Sequence, residues 1–191
     1  MKSKIYDFVF KGIMTSHCIR DLQASGILRL PAVTPDERRE QDLFAPVPER
    51  IRTGSIHMQR YYRILYVLEN FVRDFIITRF SELDGEGWFD NRATSDMKKK
   101  VEMRRQDEQK NQWHIGRNRH SIYYLDFGDL GLLINNHWAE FKDFIDNQAW
   151  VSARIDEAER TRNVIAHTNL LSSEEGVRLE MYLKDWLLQV G

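Results

Sequence analysis

All four prolines of this 191-residue chain, Pro31, Pro35, Pro46 and Pro48, fall in one short stretch, and none follows Pro48. Proline removes a backbone donor and clashes with the preceding helical turn, so a chain free of it can run in long helices. The prolines bracket the run DERREQD, which has little apolar periodicity, and residues 30–50 therefore read as an extended arm or linker. Before it, residues 4–25 predict one or two short helices ending at Gly26.

Past the prolines the apolar residues recur at helical spacing. Met58, Tyr61, Leu65, Leu68, Val72 and Phe75 predict a helix over 57–82, with Tyr62, Phe71 and Ile76 widening its stripe. Two glycines in SELDGEGW, 81–88, end it. A polar helix over 94–112 and a loop at 118–121 follow. Leu130, Leu133, Trp138, Phe141 and Phe144 then mark one face of a further helix. Two helices, over 148–168 and 173–190, close the chain. Ser172 and Glu175 have the spacing of a capping box, and Leu179, Leu183, Trp186 and Val190 form the last stripe. Strand-like alternation is absent after residue 55. The expected class is all-α: a bundle of four to five helices over 56–191, preceded by an N-terminal arm, 1–55, of short helices and a Pro-containing linker.

Lys and Arg number 28 against 29 Asp and Glu, so a protein that coats nucleic acid by bulk positive charge is excluded and any polyanion site must be local. One local cluster exists. Residues 98–120 carry Lys98, Lys99, Lys100, Arg104, Arg105, Lys110, Arg117 and Arg119 against Glu102, Asp107 and Glu108. Trp113 and His114 lie among them, placed to stack on bases, which makes this a candidate RNA-binding surface; the alternative is a solvated helix face. The single cysteine, Cys18, excludes a disulfide framework and a cysteine-based zinc site. No apolar run approaches the roughly 20 residues of a membrane span. Asp7 and Lys11 interrupt the N-terminal apolar patch, and no small-residue cleavage site follows it, which reads as a cytoplasmic protein.

Asp126-Phe127-Gly128 matches a kinase metal-binding tripeptide, but no glycine-rich loop or catalytic-loop motif accompanies it. Asp126 or Asp129 is expected to cap the next helix instead. His114 and His120 lack ligand spacing, so neither a metal nor a cofactor is expected.

The helix over 148–168 breaks its own pattern. At about 100° per residue, Val151, Ile155, Ala158 and Ile165 share roughly 80° of arc, and Arg162 falls in the middle of it. A guanidinium there is costly unless it is paired or meets a polyanion. Glu159, Asn163 and His167 run along one edge of the same arc, four residues apart. The bland alternative pairs Arg162 with Glu69 or Glu159, leaves His167 as a helix-end histidine favoured by the dipole, and makes Glu69 and Arg73 an i,i+4 surface pair.

Arg162-Asn163-Val164-Ile165-Ala166-His167 resembles the R-x(4–6)-H motif of the HEPN superfamily, whose members are compact α-helical bundles. The asparagine after the arginine, the alanine before the histidine and the penultimate helix all fit that resemblance. YYRILYVLENFVRDFI at 61–76 resembles the family's opening helix, with Glu69 and Arg73 as its Glu and Arg. YLDFGDLGLLINNHWAEF at 124–141 resembles the Swt-type branch. The resemblance spans about 57–190. A second hit, Arg52 to His57, contains a glycine and lies close to the prolines; it is read as chance.

The resemblance implies a metal-independent endoribonuclease of a toxin or antiviral defence type, acting on RNA as a homodimer that joins two Arg/His pairs. Arg162, His167 and Asn163 would be its catalytic residues, with Glu159, Glu69 and Arg73 in support. An antitoxin or another defence-system protein is the implied further partner. The alternative is a non-catalytic RNA-binding or protein-interaction HEPN module. Where related toxins carry a tyrosine two residues after the histidine, this chain has Asn169.

Overall fold

The computed structural model describes residues 2–26, 34–110, 116–117 and 120–190, all helix, turn or loop with no strand among them. The chain divides into two compact units, Met1–Pro48 and Glu49–Gly191.

In the first unit α1, Lys2–Ala24, is one continuous helix, and Gly26 follows it with a φ of 73°. Part of the stretch expected to be extended is helical: α2 spans Pro35–Phe44. Proline is harmless in a first turn, where its missing N–H would have no partner anyway. Thr34 caps the helix by accepting from the Glu37 N–H (3.2 Å), and its own N–H donates to Glu37 Oε2 (2.7 Å). The charge run is thus an exposed helix with a reciprocal N-terminal cap. Pro31 lies outside the described residues.

The second unit is a helical bundle. Its longest element, α3, runs over Glu49–Asp84, starting directly after Pro48 because nothing before Gly85 interrupts it. Gly85, with φ 75°, ends it. Next come α4, Trp88–Arg92, and α5, Ser95–Gln109, the latter capped by Thr94. A short 3-10 helix, Ser121–Tyr124, precedes α6, Phe127–Asn136, and α7, Trp138–Phe141. The closing pair is α8, Gln148–Ala166, and α9, Ser173–Val190, which begins on the expected Ser172/Glu175 box.

Leu68, Val72, Ile76 and Phe80 of α3 are fully buried, and α3 packs on α6, α8 and α9. Tyr62, expected to widen that stripe, is instead 61% exposed. The single helix expected to carry Leu130 through Phe144 is broken at His137 (φ −119°, ψ 37°). The break lets His137 Nε2 donate to the Arg92 carbonyl (2.9 Å) and set its ring edge-on to Phe80. Phe144 leaves the core as a result, at 42% exposure. Gly131 sets the spacing of α6 and α8, since a Cβ there would lie 3.1 Å from Ile155. Gly176 does the same for α9, where a Cβ would fall within the Tyr61 ring.

Candidate functional site

The motif lies on the last turns of α8. Val151, Ile155, Ala158, Thr161 and Ile165 turn inward, which leaves Arg162 half-buried and Asn163 and His167 exposed. Arg162 pairs with neither Glu69 nor Glu159; among the described residues its one side-chain hydrogen bond runs from Nη1 to Asn163 Oδ1, at 3.4 Å. A guanidinium stem is long enough to carry the charge from a buried arc out to water.

His167 is the C-cap residue, and the turn after it is tightly specified. Thr168 N–H donates to the Ile165 carbonyl (3.0 Å), and Asn169 N–H to that of Val164 (3.1 Å). This 5→2, 6→1 pair usually has glycine at the left-handed position. Here that position is Thr168, with φ 55°, the one non-glycine positive φ among the described residues. A β-branched residue there stores strain beside the histidine. Thr168 Oγ1 (2.8 Å) and Asn169 Nδ2 (3.3 Å) both donate to the His167 carbonyl. The His167 backbone is therefore fixed while its exposed imidazole has no hydrogen-bond partner among the described residues.

The chain then passes into the grip of α3. His57 Nε2 donates to the Leu171 carbonyl (3.1 Å), and Leu171 N–H donates to Met58 Sδ (3.3 Å). His57 of the second motif hit thus holds the loop that follows the first. A groove of about 620 Å³ opens alongside, lined by Ile51, Met58, Tyr62, Ile165, Thr168 and Leu170, among others.

None of the residues expected in support bonds to Arg162 or His167. Glu69 and Arg73 pair with each other on α3 at 2.5 Å, and they are not on the surface: their side chains are only 15% and 10% exposed. Glu159 faces α6, its carboxylate 3.0 Å from where a Gly128 Cβ would stand.

Most of the basic cluster is engaged internally. Lys100 binds Asp126 (2.9 Å) and Asp129 (2.6 Å), and Arg104 binds Asp126 (2.8 Å) and the Tyr124 carbonyl. Burial pushes the Asp126 carboxyl up, but the Lys100 and Arg104 hydrogen bonds outweigh it and hold it below the usual carboxylate range. Asp126 N–H donates to Asp129 Oδ2 (2.9 Å), so these aspartates begin α6 as expected. Arg105 donates to Ser121 Oγ (2.9 Å), and Arg117 binds Glu108. Lys98 reaches the Asp90 carbonyl (2.6 Å), while Lys99 and Lys110 form exposed pairs with Asp96 and Asp107. Trp113, His114 and Arg119 lie outside the described residues.

Two features escaped the sequence reading. Positive φ at a threonine has no composition signal. Tyr62 and Tyr66 stand one turn apart on the outside of α3; the stripe reading takes Tyr62 as part of the buried face and leaves Tyr66 unassigned, though their i,i+4 spacing is itself the signal. Among the described residues no group of three or more His, Cys, Asp or Glu is placed to hold a metal, and no helix is long and apolar enough to cross a membrane.

A family model described as Swt1-like HEPN matches residues 63–191, about two thirds of the chain. No curated protein and no solved structure matches it. The match covers α8 and its motif and agrees with the resemblance carried by residues 61–76, 124–141 and 162–167. The chain belongs to the Swt1-like HEPN family.

Proposed function

We propose that this HEPN chain is an endoribonuclease that cuts RNA without a metal, in a toxin or antiviral defence role. The observation that carries the reading is the end of α8. There a guanidinium with no ion-pair partner among the described residues, the exposed amide it donates to and an exposed imidazole share one helix terminus, held by a backbone turn that leaves the three side chains accessible to a ligand.

The chemistry suits those groups. RNA carries its own nucleophile, the 2′-hydroxyl, so no activated water is needed for the first cut. Imidazole is the side chain suited to both taking and giving a proton near neutrality. His167 takes the 2′-hydroxyl proton as that oxygen attacks phosphorus. The P–O5′ bond breaks, and a second His167, from another copy of the chain, protonates the departing 5′-oxygen. Arg162 binds the phosphate oxygens and offsets the charge that builds on them. Asn163 steadies Arg162 through the amide oxygen that already accepts from it. The products are a 2′,3′-cyclic phosphate and a 5′-hydroxyl end.

The test is cleavage of end-labelled RNA in EDTA by the wild-type chain beside Arg162→Ala and His167→Ala, each checked for wild-type helicity. The expected result is cleavage with cyclic-phosphate ends that falls at least about 100-fold in both variants. Absence of cleavage, with salt-sensitive RNA binding retained, would make the chain a binding module. Growth arrest on induced expression, abolished by His167→Ala, is the matching outcome in cells.

A further inference from the structure

A second groove, of about 440 Å³, runs along α3 and is lined by Tyr62, Tyr66, Glu69, Arg73, Arg117 and Tyr123, among others. Tyr62, Tyr66 and Arg73 fall on one face of the helix, at steps of four and seven residues. The two tyrosines are 61% and 60% exposed, and Arg73 is 8% exposed. A guanidinium has five N–H donors. Arg73 uses one, from Nη2 to Glu69 Oε1; its Nη1 makes no hydrogen bond among the described residues and is not enclosed, and its guanidinium carbon lies over the Tyr123 ring at 5.3 Å. The second oxygen of Glu69 accepts no hydrogen bond from the described residues. A guanidinium 8% exposed with donors still open to a groove gains from any acceptor that enters it, because a charge-assisted hydrogen bond in such a site is worth about 1.5–3 kcal/mol.

The groove thus pairs unused donors with an unused acceptor and flanks them with aromatic faces. A phosphate would meet repulsion from Glu69. A planar heterocycle carrying a donor and an acceptor on one edge meets a partner for each. Tyr62 also lines the groove that borders Ile165 and Thr168, so one aromatic surface leads from the turn at His167 into this pocket.

We propose that this groove is a subsite for one unpaired RNA base, stacked on Tyr66 and read at its edge by Arg73 and Glu69. The proposal rests on the RNA-directed reading above and adds to it a preference for single strands. Stacking of this kind tolerates different bases because every base has a π-face.

The full chain is titrated with a fluorescein-labelled 2′-O-methyl oligoribonucleotide of about twelve residues, which has no free 2′-hydroxyl to attack with. The same strand annealed as a duplex and a strand made largely abasic are titrated in parallel. Loss of one stacked base predicts binding about 5- to 100-fold weaker in Tyr66→Ala, and within about twofold of wild type in Tyr66→Phe. The abasic strand and the duplex should bind as weakly as the Tyr66→Ala complex, and Tyr66→Ala should weaken the abasic strand no further. Equal binding of wild type and Tyr66→Ala, or of single strand and duplex, overturns the subsite. If His167-dependent cleavage of unmodified RNA persists in that case, the nuclease reading stands alone. Tyrosine-dependent binding without any cleavage would keep the subsite and remove the nuclease. No binding of any strand would overturn the subsite in favour of a non-nucleic-acid ligand.

Discussion

The Glu69–Arg73 pair offers a test in which two physical readings differ tenfold. Spacing alone makes it an exposed i,i+4 pair on a helix, for which removal of one partner costs about 0.3–0.5 kcal/mol. In the structure the two side chains are 15% and 10% exposed, and among the described residues the Glu69 carboxylate accepts the only side-chain hydrogen bond that Arg73 makes. Glu69→Ala therefore leaves a desolvated guanidinium with no acceptor, and breaking a buried pair in this way costs about 3–5 kcal/mol. A typical domain has about 5–15 kcal/mol in total, so the loss would show as a large fall in the denaturation midpoint.

Urea denaturation followed by tryptophan fluorescence suits the question, because all five tryptophans lie in the unit Glu49–Gly191 and report on it alone. Glu69→Gln, which retains an acceptor, should lose clearly less than Glu69→Ala. The double variant Glu69→Leu with Arg73→Met removes both charges from a half-apolar site and should recover most of the loss. A cost below about 1 kcal/mol for Glu69→Ala, or a double variant as unstable as the sum of its singles, would refute the buried-charge reasoning.

Two further outcomes follow from other parts of the bundle. Thr168→Gly removes a left-handed backbone strain of about 1–2 kcal/mol, against about 0.5–1 kcal/mol for the extra freedom of unfolded glycine, so it should raise the melting temperature slightly; a fall would refute the strained turn. Burial first and the charge of Arg105 second hold His120 below the ordinary imidazole value of about 6.5, and its Nδ1 accepts the Ile122 N–H at 3.2 Å, which requires a neutral ring. Its contribution is complete above that value and is lost as pH falls through it towards the lower folded value. Stability should therefore drop below about pH 6.5 in the wild type and drop less in His120→Asn, which keeps an acceptor; parallel pH profiles would refute this.

The sequence carried most of the bundle because helix-forming patterns are local. The stripe from Tyr61 to Val72, the Ser172 box and the Asp126–Asp129 helix start each depend on residues within a turn or two of one another, and each stands where it was expected. What was illegible depends on partners distant in sequence. Nothing near His137 signals a break; the carbonyl of Arg92, 45 residues earlier, supplies it. Pro35 resembled a linker residue until Thr34 and Glu37 closed a cap around it.

Charge was the least readable property. The cations of residues 98–120 looked like a surface for polyanions, yet Lys100 and Arg104 meet Asp126 and Asp129 from beyond that stretch and Arg117 is tied to Glu108, so the middle of the cluster is engaged within the fold while Lys98, Lys99 and Lys110 stay at the surface. Arg162 shows the reverse case. It stands on the apolar arc of α8, where the alternative reading gave it Glu69 or Glu159 as a partner, but the helix ends one turn later and its guanidinium meets no carboxylate among the described residues. The two cases have one cause: a charge pattern fixes where a cation starts, while chain folding decides whether a carboxylate arrives. Net charge along the sequence therefore marks a binding surface poorly. A cation left without a carboxylate among the described residues, beside an exposed imidazole on a braced turn, is the stronger ground for a proposal, and this is why the nuclease reading is placed at the end of α8 and not on the lysine-rich helix.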